Sequence, residues 1–112
     1  MINKELLMIA GGKKKITCTV QYRASKIFPV LTITDFDTDK ILLHDELVDS
    51  FNKTVVLSVP QNTAIVVHSD VGTVNILMTT PSNIGYIQVE SNTVMFIDLE
   101  DSNVFIELEV TM

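Results

Sequence analysis

Four acidic residues carry the spacing that most resembles chemistry. In "DFDTDKILLHDE" (35–46), Asp35, Asp37 and Asp39 alternate and Glu46 stands twelfth from Asp35. An EF-hand calcium loop takes oxygen ligands from positions 1, 3, 5, 7 and 12 and needs glycine at position 6 for its sharp turn. Here position 6 is Lys40, which brings a Cβ and a positive charge, and position 9 is Leu43, which cannot ligate. The preceding "PVLTIT" alternates like a strand, whereas an EF-hand is entered from a helix. The loop is therefore read as an acidic hairpin turn, with Asp35, Asp37, Asp39 and Glu46 only weak metal candidates.

His44 stands beside Asp45 and Glu46, and His68 precedes Asp70. A histidine–carboxylate pair can exchange protons near neutral pH. Neither is joined by a nucleophile signature, so both are read as solvated loop histidines. Cys18 is the sole cysteine, which excludes an intrachain disulfide, and it falls on an apolar parity as a small buried hydrophobe. Gly11, Gly12, Gly72 and Gly85 have no phosphate-cradling spacing, so no cofactor is called for. Without a convergent nucleophile, base and oxyanion donor, the chain is not read as an enzyme.

The elements that position these residues are strands. "ITCTVQY" sets Ile16, Cys18, Val20 and Tyr22 on one face, and "NVFIELEVT" sets Val104, Ile106, Leu108 and Val110 opposite Phe105, Glu107 and Glu109. "KTVVLSV" groups Val55, Leu57 and Val59, and "TVNILMT" groups Val74, Ile76 and Met78. Period two is the signature of half-buried strands. Polar breaks at 60–63, 69–72, 81–85, 90–93 and 100–103 recur at the interval of an antiparallel sandwich or barrel. Strands are expected near 15–22, 28–34, 39–43, 53–59, 63–69, 73–79, 84–90, 93–99 and 103–111. "HDELVDSFN" (44–52) alone has helical spacing, in Leu47, Val48 and Phe51. The expected fold is all-β, an antiparallel β-sandwich or partly closed barrel over 13–112, with an N-terminal arm over 1–12.

Charge is unevenly placed. Residues 1–30 carry Lys4, Lys13, Lys14, Lys15, Arg23 and Lys26 against Glu5, whereas residues 31–112 carry Lys40 and Lys53 against thirteen acids. So acidic a body disfavours nucleic acid despite the lysine triplet. No apolar run approaches the ~20 residues of a membrane span, and "LLMIA" is too short for the apolar region of a standard signal peptide. An apolar arm (Leu6, Leu7, Met8, Ile9), a glycine pair, Lys13–Lys15 and a β body make a subunit clip, with the lysines drawn to acidic loops such as 98–101 on a neighbour. Phe105, Tyr86 and Phe36 are the plausible outward rings, and Phe105, opposite the apolar parity of its strand, is the best of them for a partner. In size, lack of cysteine pairs, lysine-bearing arm and β body, the chain resembles small all-β virion proteins of tailed bacteriophages, such as capsid decoration or head and tail subunits. The resemblance carries no diagnostic motif and assigns no residue a role. It implies a structural homo-oligomer docking on self or on a capsid or tail protein, assembled in the host cytoplasm into a virion. The alternative is a stand-alone sandwich that recognises a carbohydrate or receptor.

Overall fold

The structure, a computed structural model, describes residues 14–46 and 52–112, which form nine strands. They are β1 (Lys15–Ala24), β2 (Val30–Asp35), β3 (Ile41–Glu46), β4 (Asn52–Pro60), β5 (Thr63–Ser69), β6 (Thr73–Thr80), β7 (Gly85–Glu90), β8 (Thr93–Leu99) and β9 (Asn103–Thr111). Two open sheets pack face to face, a four-stranded one in the order β4-β1-β9-β6 and a five-stranded one in the order β3-β2-β5-β8-β7. This is the expected all-β sandwich, and it does not close into a barrel. The arm over 1–12 and Lys13 lie outside the described residues. So does 47–51; of the expected helix, His44–Glu46 is instead extended as the end of β3.

Alternation builds the core. Ile16, Cys18, Val20, Tyr22 and Ala24 from β1 face Leu31 and Ile33 from β2, with Val104, Ile106, Leu108 and Val110 from β9 beside them, all buried. Val, Ile and Thr suit these positions because a branched Cβ packs on a pleated surface with little further loss of rotamer freedom. The two central strands of the smaller sheet, β1 and β9, run parallel, with Val20 opposite Ile106 and Tyr22 opposite Leu108; every other neighbouring pair is antiparallel. A parallel pair needs a long crossover, and here the entire five-stranded sheet lies between its members in sequence.

One expected face is corrected. Val74 is buried and Ile76 half-buried, but Met78 is exposed, because the register of β6 on β9 slips between Ile76 and Met78. The extra residue of a bulge inverts the parity beyond it, so Met78 lands opposite Glu107 on the solvent face.

The end at which β1 begins is tied together by main-chain bonds. The Gln61 amide donates to the Lys14 carbonyl at 2.6 Å, Thr17 to Ser102 at 2.9 Å and Asn62 to Leu99 at 2.7 Å. The Gln61 side chain donates to the Glu100 carbonyl at 2.8 Å. Residues 36–40, 61–62, 81–84 and 100–102 all gather at this Lys14 end. At the opposite end, Gly72 has φ +81. A Cβ there would sit 2.5 Å from the Thr111 carbonyl oxygen, so both the backbone angle and the close approach require glycine.

Candidate functional site

The acidic loop resolves first. Val30 pairs with Glu46 and Thr34 with Ile41, so Asp35 and Glu46 stand at opposite ends of the β2–β3 hairpin. Five residues of strand separate Asp35 from Val30, the residue paired with Glu46, or about 17 Å, so the segment is the hairpin turn expected from the sequence and does not bring the first and last acids of the EF-hand spacing together. Asp35 is buried, and its Oδ1 accepts from the amides of Asp37 at 2.9 Å and Thr38 at 3.3 Å. Asp37 in turn accepts from the buried Thr63 hydroxyl at 3.1 Å, and Asp39 takes φ 60. These aspartates shape a turn, as their side-chain chemistry favours.

The histidines sit on strands rather than in loops. Register across the five-stranded sheet aligns His44, Thr32, His68, Thr93 and Glu90 in one row on its outer face. His44 Nδ1 lies 3.3 Å from the Thr32 hydroxyl and His68 Nδ1 lies 2.8 Å from the Thr93 hydroxyl. The Asp70 carboxylate accepts from the Val30 amide, so it is engaged at a turn rather than with His68. No three His, Cys, Asp or Glu side chains converge among the described residues. Burial pushes the Cys18 thiol up to about 12, away from the reactive thiolate.

The surfaces differ in kind. The outer face of the four-stranded sheet is polar: Lys15, Thr17, Gln21, Arg23, Glu107 and Glu109 alternate out of β1 and β9, and Arg23 meets Glu109 at 3.6 Å. Phe105 belongs to this face, half-buried between Thr19 and Thr80. Lys14 and Lys15 are exposed at the start of β1, in the same chain's loop cluster as Glu100 and Ser102. On the outer face of the five-stranded sheet, one row reads Ile41, Thr34, Val66, Met95 and Ile87, without a charge.

Among the described residues four strands are edges, and they are not equally guarded. A free edge offers unpaired N–H and C=O groups to another strand, and charged side chains commonly blunt it. On one flank, β3 carries His44, Asp45 and Glu46 and β4 carries Lys53. On the other flank β6 (TVNILMTT) has no charge and β7 (GYIQVE) only its terminal Glu90. Every residue of β7 is exposed. Leu77, Met78, Tyr86, Ile87 and Val89 keep 40%, 45%, 49%, 47% and 56% of their surface open along this flank. Tyr86 leans on Phe96, ring centroids 5.9 Å apart, and Gln88 reaches back to the Val74 carbonyl at 3.3 Å. The slip between Gln88 and Glu90 leaves Gly85–Gln88 regularly paired to β8, and among the described residues no strand pairs with its other edge. Where this flank meets the Lys14 end, a cleft of about 360 Å³ is lined by Ile84, Ile97 and Val104 together with the acidic Asp98, Glu100 and Asp101. The flank is therefore an apolar edge, without charge before Glu90, with an acidic mouth.

Of this edge the sequence marks Tyr86 as an outward ring but not the strand as a surface; its signal is the absence of lysine or arginine beyond Lys53, together with "YIQV", whose Tyr86, Ile87 and Val89 are apolar on both parities although no second sheet among the described residues covers them.

No protein-family model matches this sequence, and neither does any curated protein sequence. The fold does match solved structures. A bacterial adhesin from Mobiluncus mulieris, described as containing intramolecular disulfide, isopeptide and ester bond cross-links, superposes in one crystal form with TM-score 0.62 at 12% identity, covering 86% of this chain and 41% of the adhesin's. A second crystal form gives TM-score 0.63 at 12% identity, over 85% and 40%. This chain thus spans about two fifths of the adhesin structure it matches, and the likeness is one of fold.

Proposed function

We propose that this chain is an interaction module, adhesin-like in architecture, that works by binding rather than by turnover and takes a strand of a protein partner onto the free edge of β7. The observation that carries the reading is the flank of β6 and β7, where every residue of β7 is exposed and no charge precedes Glu90. Strand addition supplies main-chain hydrogen bonds for affinity, and alternate side chains supply specificity. The likeness to an adhesin fits a sandwich that holds other molecules. The narrower reading of a phage virion subunit keeps its arm and its sheet-surface contact but draws no support from these two neighbours, which are adhesins. A sugar-stacking role has little footing. Phe28 lies in the turn after β1, Phe36 follows β2 at the other end, and Tyr86 is on the far edge, so no two form a platform.

Peptide display against the full chain tests this. Selected peptides should alternate apolar residues, and should lose tenfold or more in affinity for Ile87→Lys at an unchanged melting temperature. Ligands that bind the variant and the parent equally would refute the edge as the binding surface.

A further inference from the structure

We infer that the strand received by β7 is the N-terminal segment of a second copy of this chain, residues 4–9, with Lys13 and Lys14 of that copy lying at the acidic cleft. The inference rests on the strand-addition reading above and names its partner. Three properties of the segment match the edge. It is apolar over Leu6–Ile9, lysines follow it at Lys13–Lys15, and its length fits. Six residues of extended chain cover about 20 Å, which is the length of the six-residue β7. A strand antiparallel to β7 with Lys4 opposite Glu90 puts Leu7 beside Ile87 and Met8 beside Tyr86. It then leaves Gly11–Gly12 to turn past Gly85 and delivers Lys13 and Lys14 to Asp98, Glu100 and Asp101. Charge thus pairs with charge at both ends of the contact, Leu7 and Met8 meet Ile87 and Tyr86 at its centre, and Glu5 and Leu6 fall beside Val89 and Gln88. The alternative register, with Glu5 opposite Glu90, sets like charges against each other and is disfavoured.

Reach favours another copy's segment over the chain's own. β1 stands two strands in from β6 in the four-stranded sheet, and β7 lies beyond β8 in the other layer. At about 4.8 Å per strand and about 10 Å between sheets, the path from Lys14 to the start of β7 is about 17 Å. The fully extended chain from Ile9 to Lys14 spans about 17 Å. An intrachain strand would therefore need residues 9–14 fully extended, whereas a second copy has no such limit.

Sedimentation of full-length chains over micromolar to millimolar concentration tests the inference through two variants, Leu7→Asp in the segment and Ile87→Lys on the edge. The wild type should self-associate and each variant alone should be tenfold or more weaker. An equimolar mixture of the two should restore a heterodimer, because one copy supplies an intact edge and the other an intact segment. Association of Leu7→Asp at wild-type strength, with Ile87→Lys weakened, would overturn the inference while leaving strand addition at β7 standing. A wild type that stays monomeric throughout, or a mixture that fails to pair, would overturn it as well. The display experiment above decides the broader reading independently.

Discussion

Placing a lysine on β7 separates contact energy from fold energy. Ile87 is 47% exposed, so roughly half of its side chain remains to be covered by Leu7 of an incoming strand. Full burial of a large apolar side chain is worth about 1.5–3 kcal/mol. Covering the remaining half contributes about 0.7–1.5 kcal/mol. Ile87→Lys should therefore weaken strand addition by at least about 0.7–1.5 kcal/mol, a roughly 3- to 13-fold rise in Kd. The desolvation of the ammonium group adds to that loss. Fold stability should move by no more than about 0.5 kcal/mol, because this side chain does not fill the core. The assay is fluorescence anisotropy of a labelled peptide spanning residues 1–15, titrated with full chain carrying Leu7→Asp so that its own segment does not compete. Chemical denaturation of the same samples reads stability. A rise in Kd below threefold, or a stability loss above about 2 kcal/mol, would refute the assignment of Ile87 to a contact surface.

Two further predictions concern the scaffold. Gly72→Ala should cost about 2 kcal/mol or more in a denaturant melt, since it places a Cβ in the left-handed region against the Thr111 carbonyl; a neutral result would mean the β5–β6 turn relaxes freely. Cys18 should resist thiol reagents in the native state, and its ionisation should show in the pH dependence of stability. Its folded pKa is raised from 9.0 to about 12, so the folded chain keeps a proton that the unfolded chain releases. Stability should therefore fall as pH rises from 9 toward 12, by up to about 4 kcal/mol over that span. Cys18→Ala should lose less over the same range, and equal slopes would contradict the burial argument.

The alternating strands were legible because their chemistry is local. β1 and β9 bury the residues that their parity designates, and β5 and β8 begin and end as expected from the polar breaks around them. What escaped depends on pairing. The bulge that turns Met78 outward is a property of β6 on β9, and nothing in "TVNILMT" marks it. The parallel partnership of β1 with β9 joins strands far apart in sequence, to which a period-two pattern is blind. His44 and His68 neighbour carboxylates along the chain, yet across the sheet each faces a threonine hydroxyl. Asp35 and Glu46 had the spacing of a calcium loop, and hairpin register carried them apart. The same holds for the site. Lys14, Lys15 and Phe105 were visible as outward residues, but the unguarded edge of β7 emerges only once strand order is known.

Amide hydrogen exchange across Gly85–Glu90 tests strand addition at β7 most directly. In isolated chains, the amides of this strand that do not bond to β8 should exchange rapidly, and on association or on addition of the residue 1–15 peptide they should slow at least tenfold. Unchanged exchange there, with new protection on the outer face around Phe105, would contradict the account.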